Sequence, residues 1–202
     1  MADQPHLILA SESPRRLALL EQIGVVPARV QPAEIDEIPN KRELPRDYVK
    51  RLAKQKAEMV ASRHRSIRPH PYILAADTIV ACGRRILPKP IDVETARQCL
   101  DMLSGRSHMV FTGVALVDAQ ANLHFRLAET RVKFKRLSHQ ELSGYLESGE
   151  WQGKAGGYAI QGKAAIFIRS VSGSYSNVVG LPLFDVAQLL SGCGYPLFGK
   201  HD

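Results

Sequence analysis

Three observations along the 202-residue chain predict an α/β fold. Short apolar runs of strand length alternate with stretches whose apolar residues recur at helical spacing. The run Leu7-Ile8-Leu9-Ala10 passes through Ser11-Glu12-Ser13-Pro14-Arg15-Arg16 into the helix-like Leu17-Ala18-Leu19-Leu20. The longer run from Tyr72 to Ala81 reads as a buried strand with a single charge, Asp77, at its centre.

Each element has its own local reason. After the first strand, Ser13 is a good N-cap, Pro14 suits the first helical position and Gly24 supplies the stop. Ser11, Ser13, Arg15 and Arg16 then stand where free amides and the positive end of a helix dipole collect. That is either an anion site or an ordinary capped helix with solvated arginines. A polar connection from Pro32 to Pro45 follows, carrying Glu34, Asp36 and Glu37.

A second helix is predicted from about Arg46 to Ser62, with Val49, Leu52, Ala53, Ala57 and Val60 on one face. Lys56 falls in the middle of that face, where an ammonium must snorkel out or meet an anion. Asp77, in the next strand, needs a lysine, an arginine, a metal or a cleft, because removing an ion from water costs several kcal/mol. Arg84 and Arg85 follow a turn at Gly83. Lys89 is held between Pro88 and Pro90, whose fixed φ gives it a defined direction, as a ligand contact or an ordinary turn.

Asp92 caps a third helix over Val93 to Leu103, with Gly105 past its end. Strands Met109 to Asp118 and His124 to Phe134 form a hairpin across Gln120 to Asn122, and a fourth helix spans Ser138 to Ser148. The stretch Trp151 to Gly162 is glycine-rich, which permits close backbone approach to a ligand but is also common in turns. A strand over Ala164 to Val171, a loop over Gly173 to Asn177 and a helix from about Pro182 to Leu190 complete the reading.

A hydrophobic share of 45% supports a substantial core in one domain of two lobes over residues 1–202. The net charge of +7 fits an anionic partner without choosing among nucleotide, nucleic acid and membrane surface. No membrane span or signal peptide is evident, so a cytoplasmic location is expected. Cys82, Cys99 and Cys193 are odd in number and lack ligand-like spacing, and read as reduced and structural, not as disulfides or a zinc site.

The motifs S-x-S-P-R-R, L-A-K-Q-K-A, A-A-D-T, P-K-P, S-G-R-S-H, K-A-G-G-Y-A-I-Q-G and N-V-V-G-L-P occur in this order between Leu7 and Pro182. The chain closely resembles the Maf family of nucleoside triphosphate pyrophosphatases. That resemblance implies an elongated α/β fold with a mixed sheet and two lobes about a cleft, related to the inosine triphosphate pyrophosphatases. It implies hydrolysis of a nucleoside triphosphate to monophosphate and pyrophosphate with a divalent ion, Mg²⁺ or Mn²⁺, and a homodimer. Arg15, Thr78 and Gln161 resemble the branch acting on dTTP and UTP, which would remove non-standard pyrimidine nucleotides and has been tied to cell-division arrest. Trp151 and Gly153 depart from the family pattern, where Pro and Asp are frequent.

Cleavage between the α- and β-phosphates needs charge neutralisation, an oriented water and a base. Arg15, Arg16, Lys56 and Lys89 supply the first, and Asp77 is the candidate proton acceptor. Asp77 and Glu37 are the expected metal ligands, the choice of Glu37 over Asp36 or Glu34 resting on the resemblance. Gln161 can pair its amide with the O4 and N3–H edge of uracil and thymine. A nucleic-acid binder is disfavoured, since aromatics make up only 6% and are not interleaved with basic residues. A scaffold in cell division would leave Asp77 and Glu37 unexplained, and damaged purine nucleotides are a further substrate class.

Overall fold

The computed structural model describes residues 6–197. Its elements are β1 (Leu7–Ala10), α1 (Pro14–Gln22), β2 (Arg29–Val30), α2 (Pro45–Ser62), β3 (Tyr72–Cys82), β4 (Arg85–Leu87), α3 (Val93–Leu103), β5 (Ser107–Val117), β6 (Leu123–Phe134), α4 (His139–Glu147), β7 (Ile168–Ser172), α5 (Tyr175–Val179) and α6 (Leu183–Gly192). One seven-stranded sheet has the order β2-β1-β3-β5-β6-β7, with β4 also paired to β3. β1 is parallel to β2 and β3, whereas β3, β5, β6 and β7 pair antiparallel, so the sheet is mixed.

Alternation explains the unbroken apolar runs. Leu7 and Leu9 of β1, with Leu74 and Ala76 of β3, pack on Leu19 and Leu20 of α1 and Leu189 and Leu190 of α6. Ile8, Ala10, Ile73 and Ala75 face the other way, onto Ala53, Ala57 and Val60 of α2. Successive side chains point to opposite faces and both faces are covered, so every position is apolar. Farther along β3, Val80 enters a second core with Leu100 and Leu103 of α3 and Leu142 and Leu146 of α4. The long strands thus carry a core toward each end.

α2 seats on the sheet at Gly113 of β5. A Cβ there would lie 2.5 Å from the Val49 carbonyl oxygen, a distance no side chain permits. Gly113 is the register partner of Asp77. The depth of the helix over the centre of β3 is therefore set by a missing side chain.

Several expectations change at their edges. Ser13 is the N-cap of α1, but its hydroxyl makes no cap bond; its own N–H donates to Ser11 Oγ at 3.2 Å. The strand expected over Ala164 to Val171 is half 3-10 helix, Lys163–Phe167, because Ala164 and Phe167 both turn into the second core at a spacing of three. The expected loop over Gly173 to Asn177 gives way to the short α5, capped by Ser174, whose hydroxyl accepts from the Asn177 amide at 3.2 Å. Asp92 caps α3 as read, and α4 starts after Ser138 with a Ser138–Glu141 capping box. The three cysteines are free.

His108 of β5 is 2% exposed; its Nε2 lies 2.8 Å from the Tyr158 hydroxyl and its Nδ1 has no hydrogen-bond partner among the described residues. Burial pushes its imidazole down from 6.5 to about 4. A folded-state value below the unfolded one makes its stabilisation complete above pH 6.5 and lost as pH falls toward 4, by roughly 3 kcal/mol in all. His108→Gln should therefore flatten the fall of melting temperature across that window relative to wild type. Parallel melting profiles for the two proteins would acquit His108.

Candidate active site

The cleft is a gap in the sheet. β1 ends where Ala10 pairs with Ala75, and β4 joins the same edge of β3 only at Val80. Between them Ala76 to Ile79 have no strand neighbour on that side among the described residues, and a cleft of ≈ 330 Å³ opens there. It lies past the carboxyl end of β1, where open α/β sheets bind ligands. Ser11, Ser13, Arg15, Arg16, Glu37, Lys56, Asp77, Thr78, Lys89 and Gln161, the full set singled out from the sequence, line it.

Parity on β3 assigns the two central residues to different partners. Asp77 shares the face of Ala75 and meets α2, where Lys56 Nζ lies 2.6 Å from Asp77 Oδ1. Lys56 is 8% exposed and Asp77 4%, so both charges are withdrawn from water. The ammonium also lies 2.6 Å from Glu37 Oε1, while Lys89 Nζ stands 3.6 Å from Glu37 Oε2. Of the two outcomes open for Lys56, it meets an anion, and it meets two. Partial burial opposes ionisation of Glu37, but the hydrogen bond and charge of Lys56, with Lys89 behind it, hold its carboxyl below the usual range. Asp36 is turned away: its Oδ1 accepts from the Ile38 amide at 2.8 Å.

Thr78 faces the other way, toward α1 and Gly180. Arg16 donates from Nε to the Gly180 carbonyl at 2.8 Å, and from its two terminal nitrogens to Ser11 Oγ at 3.0 Å and Thr78 Oγ1 at 3.1 Å. Thr78 Oγ1 is in turn 2.9 Å from Thr112 Oγ1. Arg16 therefore braces the cleft wall, joining α1, β3 and the turn after α5, while its charge still faces inward. Burial lowers its pKa and the Asp77 carboxylate partly restores it. Arg15, by contrast, makes no hydrogen bond or ion pair among the described residues, and burial lowers its pKa too.

The glycine-rich segment forms the opposite wall. Its close approaches are to protein: a Cβ at Gly156, whose φ is +66, would stand 2.9 Å from Val80 Cβ. The Gly156 amide donates to the Pro88 carbonyl at 3.0 Å. These contacts present Lys154, Tyr158 and Gln161 to the cleft. Gln161 is exposed there, with its amide available to a ligand. Lys154 escaped the reading of the sequence, although a lysine inside a glycine-rich loop is a usable signal. Burial, with Arg15 nearby, lowers its pKa.

Asp77 and Glu37 suit a hard divalent cation. Each directs one carboxylate oxygen to the same point, filled by the Lys56 ammonium at 2.6 Å from both. Oxygen donors of this kind take Mg²⁺ or Mn²⁺.

The family model for Maf-like proteins matches residues 6–193. The chain belongs to the Maf family. This Maf chain is 57% identical over 189 residues to the dTTP/UTP pyrophosphatase of Paramagnetospirillum magneticum, covering 94% of this chain and 97% of that protein. It is 55% identical to the dTTP/UTP pyrophosphatase of Caulobacter vibrioides, over 96% of this chain and 99% of the other. Among solved structures, a HAM1 protein from Coxiella burnetii superposes with a TM-score of 0.51 over 94% of this chain and all (100%) of that one, at 15% identity. That likeness shows the fold. Among the described residues no helix is long and apolar enough to cross a membrane.

Proposed function

We propose that this Maf chain hydrolyses dTTP and UTP to the monophosphate and pyrophosphate. The observation that carries the reading is the convergence of Glu37 and Asp77 on Lys56 inside a cleft otherwise rimmed by Arg15, Arg16, Lys89 and Lys154. An anionic chain meets the cations, and the carboxylates mark the point where water must be activated. The names of the relatives at 55–57% identity support the substrate pair.

Asp77 accepts the proton of the water that attacks the α-phosphorus, and its rigid seat in β3 fixes the direction of that attack. Lys56 holds the carboxylates of Asp77 and Glu37 close together. Arg15, Lys89 and Lys154 neutralise the oxygens of the leaving pyrophosphate, on which charge accumulates as the bond breaks. A divalent ion held by the carboxylate oxygens of Glu37 and Asp77 that Lys56 leaves free would polarise the phosphoryl oxygens and lower the pKa of bound water. Gln161 reads the base edge from the far wall. None of the cleft residues bears on division arrest, so we leave that link outside the proposed activity. The homodimer and the cytoplasmic setting belong to the same proposal, and sedimentation of the purified chain tests the first.

Purified protein with Mg²⁺ should release pyrophosphate, and no orthophosphate, from dTTP and UTP, and should stop when chelator is added. Orthophosphate as the first product, or an unchanged rate in chelator, sinks the mechanism. Purine triphosphates in the same panel separate this reading from damaged-purine clearance.

Base choice is a separate test. Gln161 can donate to O4 and accept from N3–H, whereas a glutamate loses the donor and adds charge. An unmade hydrogen bond at a site built for it costs about 1–3 kcal/mol. Gln161→Glu should therefore lower kcat/KM for dTTP and UTP more than for CTP, whose amine finds an acceptor. Equal losses across the pyrimidines would leave Gln161 a loop residue.

A further inference from the structure

We infer that Asp118, His124 and Cys193 form a second cation site, suited to a borderline-soft divalent ion such as Zn²⁺, at the end of the sheet opposite the cleft. The three residues come from the end of β5, the start of β6 and the residue after α6, and their ligand atoms all lie within 4.8 Å of one another. Asp118 is the fifth residue beyond Gly113 on the strand that pairs with Asp77, which puts the cluster about 16 Å from the catalytic carboxylate. None of the three lines the cleft.

The carboxylate is held as a ligand should be. Asp118 is 4% exposed, and its Oδ1 accepts from the Gln120 and Asn122 amides at 2.9 and 2.8 Å. Those bonds aim Oδ2 at His124 Nε2, 2.7 Å away, with Asn122 Nδ2 at 3.4 Å. Supporting bonds that orient a coordinating carboxylate are the usual outer shell of a metal site. Cys193 is positioned independently, since the Tyr72 hydroxyl donates to its carbonyl oxygen at 2.8 Å.

An Asp–His hydrogen bond by itself would account for two members, not for the third. Cys193 Sγ lies within 4.8 Å of both ligand atoms and makes no hydrogen bond to either among the described residues. A cation would give all three ligand atoms one common partner. Thiolate, imidazole and carboxylate form a mixed S, N, O set that Mg²⁺ declines and Zn²⁺ accepts, with three protein ligands and a fourth position left for water. Tetrahedral zinc with ligands at about 2.0 Å keeps them about 3.3 Å apart, so the Asp–His contact must open slightly. His124, whose side chain is 38% exposed, has room to swing while Asp118 stays anchored. The bound ion would tie the β5–β6 hairpin to the chain leaving α6.

The test uses the full chain, stripped of metal and kept reduced. One equivalent of Co²⁺, the spectroscopic substitute for zinc, should produce a near-ultraviolet thiolate-to-cobalt charge-transfer band, and Zn²⁺ alone should raise the melting temperature. Cys193→Ser should abolish the band, and His124→Gln should weaken Zn²⁺ binding about ten-fold or more. Glu37→Gln, which alters the cleft, should leave the band in place. The absence of a thiolate band in the wild type, or its survival in Cys193→Ser, overturns the inference. The readouts are independent of turnover, so they stand or fall apart from the proposed reaction.

Discussion

Asp77→Asn is expected to lose two to four orders of magnitude in turnover while its melting temperature stays near that of the wild type. General-base removal typically costs about 10²- to 10⁴-fold, and the amide keeps the size and the acceptor oxygen of the carboxylate. Stability should hold because Lys56 retains Glu37 at 2.6 Å, so no buried cation is stranded. Single-turnover rates and thermal melts of the two proteins decide the matter. A variant that melts far lower yet turns over normally would make Asp77 a structural ion-pair member and nothing more.

The opposite pattern is expected at Lys56. Lys56→Met removes the one ammonium that lies between Glu37 and Asp77, and Asp77, 4% exposed, is left as a buried carboxylate without its partner. Breaking a buried pair from one side costs about 3–5 kcal/mol, and a loss of that size lowers the melting temperature by about 6–20 °C in a chain of this length. Turnover should fall as well, since the two carboxylates then lose the cation that holds them in place. Mg²⁺ should restore part of the lost stability by taking the place of the ammonium. Melting curves with Mg²⁺ and with chelator check both halves. Stability equal to wild type in chelator would show that the two acids need no cation between them.

Asp77 and Lys56 are legible in the sequence for the same reason: each interrupts an apolar pattern that nothing local explains. Their pairing is not legible, because it depends on how deeply α2 seats over β5, and that depth is set by Gly113, a glycine with no turn signal beside it. Arg16 reads as a cation at a helix start, yet three of its N–H donors go to Ser11 nearby and to Thr78 and Gly180, the latter two from segments distant in the chain. The glycines before Tyr158 suggest ligand approach and instead fit against Val80 and Pro90. β4, which closes the far side of the cleft, is three residues long, too short for a period to show. Cys193 shows the limit of spacing arguments, since its neighbours Asp118 and His124 reach it only through the fold.

The early stop of β1 decides how this protein comes to have a binding space at all. A pocket hollowed from a packed interior leaves its lining atoms without neighbours, at about 24 cal/mol for each Å³ left empty. Here the cores on both sides stay filled, and the opening comes from omitting strand pairs beside Ala76 to Ile79. What is forfeited is a few backbone hydrogen bonds on one margin, groups that water satisfies in the free protein. Room for a substrate is thus separated from the packing that keeps the chain folded, and substitutions that reshape the walls can alter what binds without first loosening either core.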